Sequence, residues 1–506
     1  MMSNYIDVPP SPASLIQALR DIGYSIQTAI ADIIDNSITA NSKNIQIRFS
    51  WNSGDSWLAI IDDGDGMTYE ELENAMRFGS TNPLNSRAEN DLGRFGLGMK
   101  TASFSQCRRL TVLSKKKKQI SCCEWDLDFI SKNSDSGWKL GVLSLDAIHR
   151  HKVLSTLYQE CLADRNSGTI VLWGNIDRMY EEGLVKEKEK HFNSLIDDAR
   201  EHLQLVFHRF LSPDPGAKKV AILMNGDELI AFNPFNPQNL ATQELEQQQI
   251  LINGIKVIAQ PYILPHNNKV SRQEYEQYAN TSEGGYLHNQ GFYIYRNKRL
   301  IIKGTWFRLI KKEELNKLIR IKIDIPNTLD HLWKIDVRKS HASPPEIVKN
   351  ELRQVIEKIE VAGRKVYRQR GTKLSSRISS PVWNRKAIAG DIVYQINREH
   401  PLILDLFKKA SKDQREYFQQ IITMFENSFP ADLFFSDMAG TPEQVKSPSF
   451  DEKGLELLLD MFIKNWDQTG SLKNQIVDKL LTVDPFFSNI DLTKKILKQK
   501  GYIVHE

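Results

Sequence analysis

The feature that most constrains this chain is a helix that is apolar along one stripe and acidic along another. Within residues 23–40, Ile26, Ile30, Ile33, Ile34 and Ile38 recur at helical spacing and require a core to pack against. Roughly opposite them, Asp32 and Asn36 stand one turn apart on a shared face. Two readings fit that pair. One is a solvated polar face; the other is a carboxylate that activates water beside an amide oxygen that ligates a hard cation. Next come strands, IQIRFS over 45–50 and SWLAIIDD over 56–63, and a helix over 68–79 capped by Thr68.

The second strand runs into Ile61-Asp62-Asp63-Gly64-Asp65-Gly66-Met67. Gly64 and Gly66 permit a backbone path that side chains would block. A carboxylate at this strand end, Asp62, can accept a hydrogen bond from an exocyclic amine such as adenine N6; an ordinary Asp/Gly turn is the alternative. A calcium loop is excluded, because the position that must be glycine, counted from Asp62, is Met67. A third segment, Gly93-Arg94-Phe95-Gly96-Leu97-Gly98-Met99-Lys100, opens a helix at Gly98. Its glycines let backbone amides approach phosphate oxygens, and Lys100 supplies a point charge. It is not a Walker loop, and it lacks the leading strand of a dinucleotide fingerprint.

Taken in order, ADIIDNS, DDGDGM and GRFGLGMK resemble the boxes of the ATPase superfamily shared by gyrase, the heat-shock chaperone, sensor histidine kinases and MutL, often called GHKL. Gly168-Thr169, opening an apolar strand, is similar to the family's later Gly-Thr element. The resemblance covers roughly residues 12–180. It implies that Asp32 orients the attacking water and Asn36 ligates Mg²⁺. It further implies that Asp62 reads adenine N6 with support from Thr169, that Gly64, Gly66 and Met67 shape the adenine box, and that Gly93, Gly96, Gly98 and Lys100 hold the phosphates of ATP. The loop 79–98 would be the lid. One departure stands out: the family usually places Glu where this chain has Asp32, one methylene shorter, so ATP binding is the firmer expectation and slow hydrolysis the next.

Among family members, a histidine kinase is disfavoured because no histidine precedes His149. Gyrase-type cleavage is disfavoured by length, and MutL-type endonuclease by the lack of His after Asp413-Gln414 or Asp467-Gln468. The element GFYIYRNKRLIIKGTW (291–306), whose first twelve residues read as a strand, resembles the transducer of MORC-like and MutL-like members. IDVRKSH (335–341) sits where such proteins carry a lysine reaching the γ-phosphate; Lys339 is the candidate and Lys334 the alternative. The resemblance therefore implies a switch that dimerises on binding ATP and acts on DNA or in a DNA-directed defence complex. A catalytically silent ATP-binding scaffold that recruits a protein effector, and the ATPase subunit of a type IIB topoisomerase-like pair, are the other readings.

The expected fold class is α+β: a Bergerat-type ATP-binding sandwich (1–180), an S5-like α/β transducer (181–362), a basic linker (363–390) and a mostly helical C-terminal region (391–506). A long helical stretch over 184–211 would precede the second, strand-rich region, which would hold a hairpin at Asn225-Gly226. Charge is uneven. Residues 292–322 carry ten basic and two acidic side chains, while 391–506 carry fourteen and eighteen. DNA could therefore lie along 292–322, held by phosphate contacts and by Phe292, Tyr293, Tyr295 and Trp306, unless those rings are core. With 41% hydrophobic residues, no long apolar window, no secretory signal and no paired cysteine spacing, the expectation is a cytoplasmic globular protein without a membrane span.

Overall fold

The computed structural model describes residues 10–79, 98–133, 137–179, 185–252, 254–266, 269–279, 284–329, 333, 344–359, 380–388, 391–431, 433–434, 450–467 and 473–502. They fall into two compact units, 1–363 and 364–506.

The first sheet is built from β1 (Asn44–Ser50), β2 (Trp57–Asp62), β3 (Cys107–Lys116), β4 (Gln119–Asp126), β5 (Gly141–Val142), β6 (Gly168–Ile176), β7 (Ala221–Met224) and β8 (Asp227–Glu228). Their order across the sheet is β5-β4-β3-β6-β2-β1-β7-β8. Every pairing is antiparallel except β1 with β7. The unbroken apolar run of β2 is explained by burial on both faces. Leu58 and Ile60 enter one core, and Ala59 and Ile61, pointing the other way, enter a second.

Helices α1 (Pro12–Arg20), α2 (Ile26–Thr39), α3 (Tyr69–Met76), α4 (Gly98–Phe104), α5 (Leu127–Lys132), α6 (Leu145–Arg150), α7 (Lys152–Cys161), α8 (Val185–Val206) and α9 (His208–Leu211) cover it. The isoleucines of α2 lie in the larger core with Phe192, Ile196 and Leu203 of α8, whereas α6 and α7 close the opposite face through Ile148, Leu154 and Leu157. Each fully buried Ile contributes roughly 1.5–3 kcal/mol, so this stripe fixes how α2 lies on the sheet. Thr68 caps α3 as expected, forming a reciprocal box with Glu71.

The second sheet comprises β9 (Gln243–Glu244), β10 (Gln248–Ile252), β11 (Ile255–Ile263), β12 (Gly291–Arg296), β13 (Arg299–Thr305) and β14 (Ile319–Ile325), in the order β10-β11-β14-β12-β13 with β9 beside β11. Helical residues 346–359 pack on it through Val348, Leu352, Val355 and Ile359.

Two expectations need correction. The Asn225-Gly226 hairpin exists, but its strands β7 and β8 extend the first sheet rather than the second. The stretch 291–302 is not one strand but the start of a hairpin, turning at Asn297 and Lys298, both left-handed at φ 47° and 68°.

In the C-terminal unit, β15 (Trp383–Ile388) pairs with β16 (Asp391–Ile396), so strand structure reaches into residues read as linker. Helices Pro401–Lys409, Lys412–Asn427, Glu452–Asp467, Lys473–Leu480 and Ile490–Gln499 follow, and Leu455, Leu459, Phe462, Leu480, Phe486 and Leu497 form a small separate core. Among the described residues, no helix is long and apolar enough to cross a membrane.

Candidate nucleotide site

The site lies where the end of β2 meets α2. Asp62 is buried and sits directly across the sheet from Thr169 at the start of β6. Ser37, one residue beyond Asn36 on α2, donates its hydroxyl to Asp62 Oδ2 at 2.9 Å, and the amide of Gly64 donates to Oδ1 at 2.9 Å. Burial raises the Asp62 carboxyl to about 6, partly opposed by the bonds from Gly64 and Ser37. A desolvated carboxylate of this kind gains strongly from one further donor. Beside it, the Ser114 and Thr169 hydroxyls lie 2.9 Å apart, and Ser114 Oγ accepts the amide of Met67 at 2.8 Å.

The turn after β2 is held open by its glycines. Gly66 has φ +65°, and a Cβ there would lie 1.9 Å from the carbonyl oxygen of Lys115. At Gly64 a Cβ would come within 2.6 Å of the Ala40 carbonyl oxygen. The neighbouring Asp63 is an anchor, not a ligand. It accepts from Ser42 Oγ, Asn44 Nδ2 and the amides of Lys43 and Asn44, and these bonds hold its carboxyl down at about 2.

On α2 itself, Asp32 is buried and accepts the Tyr24 hydroxyl on Oδ2 at 2.9 Å, while Asn36 is exposed. Gly98 stands beside the same carboxylate: a Cβ on it would lie 3.5 Å from Asp32 Oδ2. Asp32, Asn36, Asp62, Gly64, Gly66, Met67, Gly98 and Thr169 therefore gather around α2 and the ends of β2 and β6. Lys100 differs from expectation. Its ammonium is buried, donates to the Ala75 carbonyl in the last turn of α3 at 2.7 Å, and is pushed down to about 8 by burial. The last turn of a helix favours a cation, so here Lys100 fastens α3 to α4. Gly93, Gly96, Lys334 and Lys339 lie outside the described residues.

Three side chains escaped the sequence reading: Tyr24, Ser37 and Ser114. Ser37 carried a signal, since it directly follows Asn36 on the same helix; Tyr24 and Ser114 are joined to the site only by the fold.

In residues 292–322 the core alternative holds for the rings. Phe292, Tyr293, Tyr295 and Trp306 are all core, and Arg296, Arg299, Lys317 and Arg320 are buried too. Arg308, Lys311 and Lys312 are the cations of this strip that are exposed.

The donor set suits a magnesium nucleotide. Among the described residues no group of three or more acidic, His or Cys side chains could hold a metal by itself. Mg²⁺ commonly takes one or two protein oxygens plus substrate phosphates, and the Asn36 amide oxygen would be such a ligand.

A mixed sandwich with a buried carboxylate at a strand end, facing a helix that carries an acid and an amide, is consistent with an ATP-binding domain of the GHKL class. Residues 24–169 match the family described as histidine kinase-, DNA gyrase B-, and HSP90-like ATPase. The chain is also similar to ATPase morc-1 of Caenorhabditis elegans, 24% identical over an alignment of 263 residues that covers 45% of this chain and 29% of that protein. The likeness therefore spans less than a third of the relative's length.

Proposed function

We propose that this chain is an ATP-dependent switch. It binds ATP with Mg²⁺, hydrolyses it slowly, pairs with a second copy of itself when loaded, and acts on DNA or in a DNA-directed defence complex of the cytoplasm. The observation that carries the reading is the buried cluster of Asp62, Thr169 and Ser114 with Ser37 of the helix that also presents Asp32 and Asn36. In this scheme Asp62 would accept adenine N6–H, Asn36 would ligate Mg²⁺, which would offset the phosphate charge, and Asp32 would orient the attacking water. Gly93, Gly96 and Gly98 supply backbone amides to the phosphates. Lys339, or Lys334 in its place, would reach the γ-phosphate, and the second sheet acts as an S5-like transducer. Contact with DNA falls to Arg308, Lys311 and Lys312 rather than to the buried rings, and weakens steeply with added salt.

A second reading, a silent ATP-binding scaffold that recruits an effector, is favoured by one feature. Asp32 is a short carboxylate with one oxygen already engaged by Tyr24. Titrating ATP and Mg²⁺ into the folded chain by calorimetry tests the shared core of both readings, and absence of heat ends both. Phosphate release that is lost in Asp32→Ala while binding persists selects the switch; binding with no turnover in the parent chain selects the scaffold. A doubling of mass with a non-hydrolysable ATP analogue tests pairing.

A further inference from the structure

One turn of α2 holds three polar side chains with different surroundings. Asp32 and Asn36 belong to the nucleotide site, and Asp35, between them, is 1% exposed. Its Oδ1 accepts Arg299 Nε at 3.1 Å, across 264 positions of the sequence. Arg299 is the first residue of β13, directly after the Asn297-Lys298 turn, and its own side chain is 6% exposed. The guanidinium also lies over the Phe207 ring at 4.7 Å and donates to the Leu300 carbonyl. His202 of α8 is close enough to feel both charges, but burial and the adjacent Arg299 push it down to about 3, so it stays neutral. Asp35 is therefore the anion that answers Arg299.

A buried ion pair adds little net stability compared with an apolar pair of the same shape, because both charges lose hydration. What it adds is dependence on distance, since attraction in a poorly polarisable interior changes steeply with small displacements. The nearby contact between α9 and β12, His208 to Tyr295 at 2.8 Å, is a hydrogen bond between neutral groups. The Asp35–Arg299 pair is thus an ionic link from the nucleotide helix to the tip of the β12–β13 hairpin, and β12 pairs in parallel with β14 in the middle of the second sheet.

We infer that Asp35 and Arg299 are positioning residues: their ion pair conveys the state of the Asp32–Asn36 turn to the β12–β13 hairpin and so to the second sheet. The inference rests on the proposal that α2 binds ATP. When nucleotide and Mg²⁺ fix that turn, Asp35 is fixed with it, and Arg299 draws the hairpin tip into one register. Without nucleotide the turn is looser and the hairpin opens more often.

The test is hydrogen exchange of residues 291–305 with and without a non-hydrolysable ATP analogue, alongside calorimetric binding on the same samples. In the parent chain, nucleotide is expected to slow exchange in 291–305 by about tenfold. The double variant Asp35→Leu with Arg299→Met replaces the pair by apolar groups of similar size; it is expected to bind nucleotide within about threefold of the parent yet show no nucleotide-dependent slowing. Asp35→Asn keeps size and hydrogen bonding, and is expected to lose most of the slowing even if the double variant does not fold. Full slowing in either folded variant overturns the inference, as does a parent chain that binds nucleotide without any change in 291–305. A parent chain that binds no nucleotide overturns the ATP proposal instead.

Discussion

Tyr24 donates its hydroxyl to Asp32 at 2.9 Å, joining the residue that precedes the α2 cap to the acid on the helix. The bond steers a carboxylate that is too short to reach far on its own. Tyr24→Phe is therefore expected to lower phosphate release by about tenfold while ATP affinity stays within about threefold, because the lost bond orients the acid without touching the base. Steady-state release and a binding titration on the same preparation check this; faster release would show that Tyr24 restrains Asp32.

Asp62 carries a pH signature. Its carboxyl titrates near 6 in the folded chain against 3.8 ordinarily, so the folded state holds the extra proton between those values and stability from this group falls as pH rises through the interval. Nucleotide binding runs the opposite way, since N6–H needs the ionised acceptor. ATP affinity is expected to drop as pH is lowered through 6, and Asp62→Asn is expected to bind about ten- to a hundredfold more weakly with a flatter pH dependence. Binding titrations between pH 5 and pH 8 (a range of about three units around the reference carboxyl and imidazole values) decide it.

Gly66 tolerates no side chain. Because the clashing atom is the Lys115 backbone carbonyl, which cannot swing aside, Gly66→Ala is expected to cost about 2–4 kcal/mol and lower the melting temperature by several degrees. Gly54→Ala is the matched control, with φ +101° but nothing within 4 Å, and is expected to cost about 1 kcal/mol. Equal melting temperatures for the two variants would contradict the close approach.

Lys100 gives an alkaline signature. The folded chain releases this proton near 8 and the unfolded chain near 10.5, so between those values the unfolded state holds more protons and stability rises with pH. At neutral pH the buried charge costs roughly 3 kcal/mol. Lys100→Met removes that cost together with the bond to Ala75, so it is expected to leave stability at pH 7 equal or higher and to abolish the alkaline rise. Urea unfolding at neutral and alkaline pH measures both effects.

The sequence was most informative where local signals and tertiary packing agree. The α2 stripe, the β2 run, the Thr68 cap and the glycine turn all stand where spacing placed them, because each is dictated within a dozen residues. The Lys100 side chain's bond to the Ala75 carbonyl was not foreseen, because its motif describes the backbone but not the direction of a long side chain. The aromatics of β12 stayed open between DNA contact and core in the sequence, since periodicity alone does not reveal that a strand is covered on both faces. Tyr24, Ser114 and the Asp35–Arg299 pair depend on contacts that no local pattern encodes. Pro261, paired with Ile321 inside β11, carries the opposite lesson: a proline lacking an amide is normally a sign against an interior strand.

The return of β7 and β8 to the first sheet has a consequence for how this protein can be shortened. A chain ended near residue 180 keeps ADIIDNS, DDGDGM, GRFGLGMK and Gly168-Thr169, yet it strips β1 of its parallel neighbour and removes the α8 side chains that shield α2. Such a fragment should stick to itself through bare backbone amides and uncovered isoleucines. On the ribosome, likewise, the first sheet cannot be completed until β8, about sixty residues past Thr169, has emerged.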